Sequence, residues 1–216
     1  MDTLTLIEQT FGPLQGKRLL DIGCGSGALV STLAARGAIA TGIDPGVPES
    51  NHALIRAGAE NLPFAAAAFD GAIFQNALHH VPPELMSKAL IEAARVVGPG
   101  RTVIVTEPLA EGSFFAALLS IEDETAVRAA AQSAIKRAIE TGLVRLAAQH
   151  DWVRESTFET IEPFLNFVLA ADATRRHTID TNRAAIVAAF EAAAERTDAG
   201  AYRLAQPIRA DVLTAA

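Results

Sequence analysis

The chain has 216 residues, 50% apolar and 20% charged, a mixture that folds, and enough length to bury a core without metal or disulfide staples. Eighteen basic against 25 acidic residues leave a net charge of −7, which argues against a surface that neutralises nucleic-acid phosphates. One cysteine, Cys24, excludes a disulfide framework.

The first residues, Met1-Asp2-Thr3-Leu4-Thr5, lack the basic stretch and apolar core of a secretory leader, and no apolar run reaches the roughly 18 residues of a membrane span. A cytoplasmic protein without membrane or nucleic-acid partners is expected, as a monomer or a homodimer. In chain order, strands are predicted over 18–22, 38–43, 69–74 and 102–106, all short and nearly continuously apolar, as strands covered on both faces are. Helices are predicted over 28–36 and 84–97, the second stopped by Gly98-Pro99-Gly100. The alternation is that of βαβ units around a parallel sheet. Beyond Pro108 the texture changes: residues 113–148 are Ala-rich with a long helical pattern, 152–161 read as a strand, 163–172 and 182–196 as helices, and 201–213 as a final strand.

The stretch Leu19-Leu20-Asp21-Ile22-Gly23-Cys24-Gly25-Ser26-Gly27 runs a buried strand into a Gly-x-Gly-x-Gly turn that opens a helix. Glycines at alternating positions let the backbone approach a ligand where any Cβ would collide. Asp44 ends the next strand, which in a βαβ unit lies beside that turn, and a carboxylate there can accept hydrogen bonds from both hydroxyls of an adenosine ribose.

Six segments in order carry a resemblance: the first motif at 19–27, Gly-Ile-Asp-Pro at 42–45, Ala-Glu-Asn-Leu-Pro-Phe at 59–64, Phe-Asp-Gly-Ala-Ile at 69–73, Ala-Leu-His-His-Val at 77–81 and Gly-Pro-Gly-Arg at 98–101. Over residues 12–108 the chain resembles the class I S-adenosylmethionine-dependent methyltransferases of the small-molecule-like, type 11 branch. The resemblance implies an α/β, Rossmann-like, doubly wound, mostly parallel seven-stranded sheet with helices on both faces and a helical insertion after the fifth strand. It implies one domain over 1–216: a cofactor-binding half at 1–110, an insertion and acceptor lid at 111–172, and a helix and strand completing the sheet at 173–216. The cofactor is then S-adenosyl-L-methionine, leaving as S-adenosyl-L-homocysteine. By the family's pattern Gly23, Cys24, Gly25 and Gly27 lie against its methionine part and Asp21 holds its amino group. Asp44 with Pro45 meets the ribose, Ala59 and Glu60 meet the adenine, and Gln75 and Asn76 contact the methionine moiety. Many relatives carry an aspartate where this chain has Gly58, which leaves Glu60 to supply the adenine-side carboxylate alone. Leu62-Pro63-Phe64 is expected as an apolar bracket at the adenine edge. The third glycine follows the second by two positions, whereas the nicotinamide fingerprint, which cradles a pyrophosphate, spaces them by three.

His79 and His80 are the candidate general bases, since imidazole titrates near neutral pH and both follow the fourth strand, where the acceptor should arrive. Packing or helix capping is the alternative for one of them. Glu107, at the end of the fifth strand, suits either the pocket or a backbone amide. His52, His150, Trp152 and His177 have no readable role, and Cys24 reads as a small packing residue. Phe114, Phe115, Leu118, Leu119, Trp152, Phe158, Phe164 and Phe167 suggest an apolar lid over a small, mostly apolar methyl acceptor, or else ordinary core. No metal ligand set is recognised. The expected activity is methyl transfer by in-line displacement. The alternatives are a non-catalytic S-adenosylmethionine-binding or interaction protein of the same fold, and a nicotinamide-dependent oxidoreductase, which lacks its Tyr-x-x-x-Lys pair here.

Overall fold

In the computed structural model, which describes residues 1–48 and 53–216, the chain runs through α1 (Thr3–Phe11), β1 (Arg18–Ile22), α2 (Ala28–Ala35), β2 (Ile39–Ile43), β3 (Leu54–Ile55), β4 (Gly71–Gln75) and α3 (Met86–Val97). It continues through β5 (Thr102–Pro108), α4 (Ser113–Leu118), α5 (Thr125–Glu140), β6 (Val144–Phe158), α6 (Ile161–Ala171), α7 (Arg176–Ala193), β7 (Glu195–Arg196) and β8 (Tyr202–Ala215). His52 lies outside the described residues.

The strands line up as β3-β2-β1-β4-β5-β8-β6, with β1 to β5 pairing in parallel and the two-residue β7 pairing antiparallel with β8. This is the seven-stranded, doubly wound order expected, with β7 as a short eighth strand.

Residues in register on parallel strands share a face. One row, Ile43, Ile22, Phe74 and Val105, packs in a core with Met86, Leu90 and Ala93 of α3 and Ala131, Ala134 and Ile135 of α5. The preceding row, Gly42, Asp21, Ile73 and Ile104, falls on the opposite face. There the cover comes from α1 and α2: a Cβ on Gly71 would run into the Phe11 ring of α1, and one on Gly42 would lie 2.8 Å from Val30 of α2. Helix α1, which no sequence reading announced, starts where the Asp2 carboxylate accepts the Thr5 N–H at 2.8 Å.

The strand expected over 152–161 begins eight residues earlier, at Val144. As the last strand in the sheet it alternates exposed and half-buried positions, so it carries no continuous apolar run to announce it. The Ala-rich stretch before it is not all insertion, because α5 packs Ile135 into the sheet core together with Ala131, Ala134 and Ala138, whose small side chains allow close approach. The expected helix over 182–196 starts earlier, at Arg176, and gives way to β7 at Glu195.

The chain packs as two compact units. The first comprises Met1–Glu107, Val127–Asp151 and Arg209–Ala216, the second Pro108–Ala126 and Trp152–Ile208. The second unit has its own core, in which Phe164 is fully buried with its ring 5.4 Å from Phe114, 5.6 Å from Phe158 and 5.0 Å from Phe190. Truncating such a ring opens a cavity that rigid neighbours cannot close. Phe164→Ala should therefore lower stability by about 3–5 kcal/mol, read by urea unfolding through the fluorescence of Trp152, the only tryptophan.

Candidate active site

The site is assembled at the carboxyl ends of β1, β2, β4 and β5, where the parallel strands release their loops on one edge of the sheet. The turn after β1 is bent by three glycines with φ of +80° at Gly23, +52° at Gly25 and +83° at Gly27, all in the left-handed region that β-carbons resist. The N–H groups of Gly23 and Cys24 both donate to the Ile43 carbonyl, at 2.8 and 2.9 Å, which ties the turn to the end of β2. A Cβ on Gly23 would stand 2.5 Å from that of Ala77 in the β4 loop, so this glycine is required by close approach as well as by φ. Gly25, by contrast, has nothing within 4 Å of where its Cβ would be.

The Asp44 carboxylate locks the two loops together, accepting the Gly25 N–H at 3.0 Å on one oxygen and the Gly46 N–H at 2.7 Å on the other. An ionised carboxylate has about four acceptor positions, so two are unfilled by the described residues. Pro45, next to it, is exposed. Cys24 sits over the bare Cα of Gly42, where any Cβ would come within 2.7 Å of its sulfur. Burial first, then the charges of Asp21 and Asp44, push its thiol up to about 12, so it stays protonated and is no nucleophile.

Asp21 is 2% exposed, and its Oδ1 has no hydrogen-bond partner among the described residues. Desolvation, aided by the neighbouring Asp44 charge, pushes its carboxyl up to about 7. Three more buried polar atoms without partners lie on the adjoining strand ends: Gln75 Oε1, Asn76 Oδ1 and Thr106 Oγ1. Gln75 and Thr106 are in register on β4 and β5, and Gln75 falls two residues beyond Ile73, the register partner of Asp21, so all three are on the face covered by α1 and α2. Asn76 turns the chain with a φ of +52°, its N–H donating to the Thr106 carbonyl at 2.7 Å. Orphaned polar atoms gathered at this density on adjoining strand ends mark a place built for a polar ligand.

On the adenine-side loop Ala59 is buried and Glu60 half-buried. Both Glu60 carboxylate oxygens crowd the bare Cα of Gly58, in the space that a side chain at 58 would fill. The segment behind is anchored by α3: Leu62 N–H donates to Glu92 at 2.9 Å, and Arg95 donates to the carbonyls of Phe64 and Leu62 at 2.7 and 3.1 Å. Leu62 turns into the sheet core rather than outward, and Phe64 packs edge-on against Phe69, 4.8 Å between centroids.

The two histidines part company. His79, 5% exposed, places Nδ1 2.5 Å from Oε2 of Glu107, which is itself 1% exposed. The other oxygen of Glu107 accepts the N–H groups of Ala77 and Leu78 at 3.1 and 2.8 Å, just ahead of the single turn of 3-10 helix over Leu78–His80. His80 is exposed, its ring 4.2 Å from that of His79. Of the two roles open to it from sequence, Glu107 therefore takes that of holding backbone amides. Thr106 was not foreseen, although a polar residue ending the apolar run Val103-Ile104-Val105 on the sheet's polar edge was the available signal. Phe114, Leu118, Phe158 and Phe164 belong to the core of the second unit, so packing accounts for their apolar character; Phe167 and Leu119 are 47% and 44% exposed.

Residues 20–105 match the family described as a methyltransferase domain. The chain is similar to the ubiquinone biosynthesis O-methyltransferase of Paracidovorax citrulli, 35% identical over 105 residues, which cover 41% of this chain and 42% of that protein. Among solved structures it is similar to the YcgJ protein of Bacillus subtilis, with a TM-score of 0.64 at 19% identity over 99% of this chain and 98% of that one. It is also similar to phosphoethanolamine N-methyltransferase 2 of Haemonchus contortus, solved with phosphomonomethylethanolamine and S-adenosylhomocysteine. There the TM-score is 0.52 at 17% identity, covering 97% of this chain and 52% of that one. At these identities the structures establish the fold. The curated match spans less than half the relative's length. Among the described residues no helix is long and apolar enough to cross a membrane.

Burying Asp21 without a cation has a cost that pH reveals. Its folded carboxyl titrates near 7, above the unfolded value of about 3.9, so folding takes up a proton between these limits, and stability falls as pH rises through that window. At about 1.4 kcal/mol per pKa unit, the loss is on the order of 4 kcal/mol by pH 8. Urea unfolding of the ligand-free chain should show about 3 kcal/mol of that decline from pH 5 to pH 8, and Asp21→Asn should remove most of it.

Proposed function

We propose that this chain, whose residues 20–105 form a methyltransferase domain of the class I S-adenosylmethionine-dependent kind, binds S-adenosylmethionine at the open ends of β1, β2 and β4 and passes its methyl group to a small-molecule acceptor. The observation that carries this reading is the buried, unpaired Asp21 carboxylate, at the foot of a glycine turn and in line with the orphaned Gln75 and Thr106 atoms. A buried charge persists only when something pairs it, and the counterpart is a cationic, hydrogen-bonding ligand.

The residues fit such a cofactor along its whole length. Asp21 holds the amino group, with Gln75 and Asn76 beside it on the methionine part. Gly23, Cys24, Gly25 and Gly27 let the backbone approach without side chains. Asp44 turns its two open acceptor positions to the ribose hydroxyls, Pro45 stiffening the chain behind it. Ala59 offers its backbone amide to the adenine and Glu60 its carboxylate, which stands where the side chain missing at Gly58 would have been. When bound, the cofactor supplies a methyl group on a sulfonium and leaves as S-adenosylhomocysteine.

For the chemistry the chain does little covalent work. Positioning dominates, since well-oriented groups reach effective molarities of about 10⁵–10⁸ M. His79 takes a proton from the acceptor where one must be lost, and the exposed His80 lines the approach. The relative's name, an O-methyltransferase, favours a hydroxyl acceptor. The acceptor's polarity is left unassigned, because the aromatic residues that suggested an apolar lid are occupied in their own core.

Titration calorimetry with S-adenosylmethionine tests the reading. Binding is expected at pH 8, and it should weaken by about tenfold per pH unit below 7, because Asp21 must give up its proton to meet the cation. Asp44→Ala should cost about 1.5–3 kcal/mol of affinity, roughly 10- to 100-fold. Heat from a nicotinamide dinucleotide and none from S-adenosylmethionine would overturn the assignment.

A further inference from the structure

The arrangement around Glu107 goes further than the placement of a histidine in a pocket. We propose that Glu107 is a positioning residue that fixes His79 in the tautomer with its proton on Nδ1, and that Nε2 takes a proton from the methyl acceptor. The acceptor is accordingly of the class whose nucleophile carries a proton to lose, a hydroxyl above all, and not a thioether or a tertiary amine. This rests on the methyl-transfer reading.

The hydrogen-bond count around the carboxylate decides the tautomer. Oε1 receives two backbone N–H groups, from Ala77 at 3.1 Å and Leu78 at 2.8 Å, and backbone N–H groups are donors in every protonation state. Oε2 is left for His79 Nδ1 at 2.5 Å. A carboxylate held this way only accepts, so the ring nitrogen facing it donates, and the lone pair of the neutral imidazole resides on Nε2. With His79 5% and Glu107 1% exposed, water does not compete for either bond, and the short, charge-assisted contact is strong. The same carboxylate thereby sets two things at once: the course of the loop at Ala77 and Leu78, and the orientation and proton location of the ring that follows it.

In the step itself, a lone pair on the acceptor oxygen forms the new bond to the methyl carbon while the carbon–sulfur bond breaks, its electron pair staying on sulfur. The hydroxyl proton passes to Nε2. His79 becomes an imidazolium against the Glu107 carboxylate, which stabilises that charge without taking the proton, and the proton then leaves to solvent. Charge balances: the sulfonium's positive charge is replaced by that of the imidazolium.

Glu107→Gln makes the proposal testable, because the fold constrains what a glutamine can do there. Its carbonyl oxygen must stay on the Ala77 and Leu78 N–H groups, since turning the amide around would set donor against donor. Its NH₂ then faces Nδ1 and donates, which drives the His79 proton to Nε2 and removes the base with every hydrogen bond kept. In serine proteases a carboxylate-to-amide change next to the catalytic histidine has this consequence, leaving geometry intact and the tautomer wrong.

The experiment is nitrogen-15 NMR of the histidine rings in the full chain, together with mass-spectrometric mapping of labelling by diethyl pyrocarbonate, which attacks an unprotonated ring nitrogen. In the wild type, His79 is expected with its proton on Nδ1, and His79 is expected to be labelled. In Glu107→Gln the proton should move to Nε2 and His79 labelling should be lost, with His80 labelled in both as the internal control. A wild-type His79 protonated on Nε2, or one that resists the reagent while His80 reacts, overturns the proposal even if the glutamine variant fails to fold; so does an unchanged tautomer in a folded variant. Calorimetry with S-adenosylmethionine on the same wild-type sample separates the two readings: failure to bind sinks the cofactor assignment, whereas binding with the wrong tautomer sinks only the role of Glu107.

Discussion

The turn over residues 23–27 lies so close to its neighbours that Gly23 and Gly27 can carry no side chain where they stand. Gly23 faces Ala77 of the next loop at a distance that no Cβ tolerates, and Gly42 on the adjoining strand must be bare for Cys24 to sit down beside Val30. Both turn N–H groups at its start are spent on one carbonyl of β2, and a third, at Gly25, on the Asp44 carboxylate. The stem of the turn is thereby fastened to β2 and to the β4 loop. Because the attachment is made by backbone and by absent side chains, little conformational freedom remains to be lost when a ligand arrives, which is the usual basis of preorganised binding.

The same closeness explains the electrostatics. Packing Asp21 at the end of β1 under helices leaves its carboxylate dry, and the nearest ionisable neighbour within the turn's reach is a second acid, Asp44, rather than a base. Natural cores seldom accept this without compensation, and the free energy it stores in the empty protein is released to whichever cation fills the place. Two strands along the sheet the opposite policy holds: Glu107 is as buried as Asp21 but has three partners, two backbone N–H groups and an imidazole. Two dry carboxylates, one on β1 and one on β5, thus divide the labour, one left hungry for a ligand and the other fully occupied with holding a loop.

The parallel half of the sheet could be read from the chain because burial on both faces writes itself as unbroken apolar runs, as in Arg18–Ile22 and Thr102–Thr106. The glycines and Asp44 were readable for a similar reason: positive φ and close approach leave few residue types to choose from. Strand β6 was half hidden, since an outermost strand alternates with solvent and looks like neither a buried strand nor a helix. Helix α1 was missed because its nine residues bury only Leu6 and Ile7 and give a short apolar signal. The division of roles between His79 and His80 was out of reach altogether. Adjacent residues in a sequence carry no sign of which one will turn inward, and that choice is made by a carboxylate 28 positions away. Likewise, the aromatic residues after β5 advertised apolarity without saying whether a ligand or a neighbouring ring would use it; Phe164 turns out to be ringed by its own kind.

Glu60 folded over the bare Cα of Gly58 makes these two positions epistatic. An acidic side chain at 58 would take the volume that the Glu60 carboxylate now fills and bring like charges together, so Glu60 would swing away. The two positions are coupled in one direction: a side chain at 58 displaces the Glu60 carboxylate, the far end of a flexible side chain, whereas Glu60 can change freely while 58 stays bare. Substitution tables that score each position independently would misjudge this pair, because a side chain at 58 changes where the glutamate at 60 can stand.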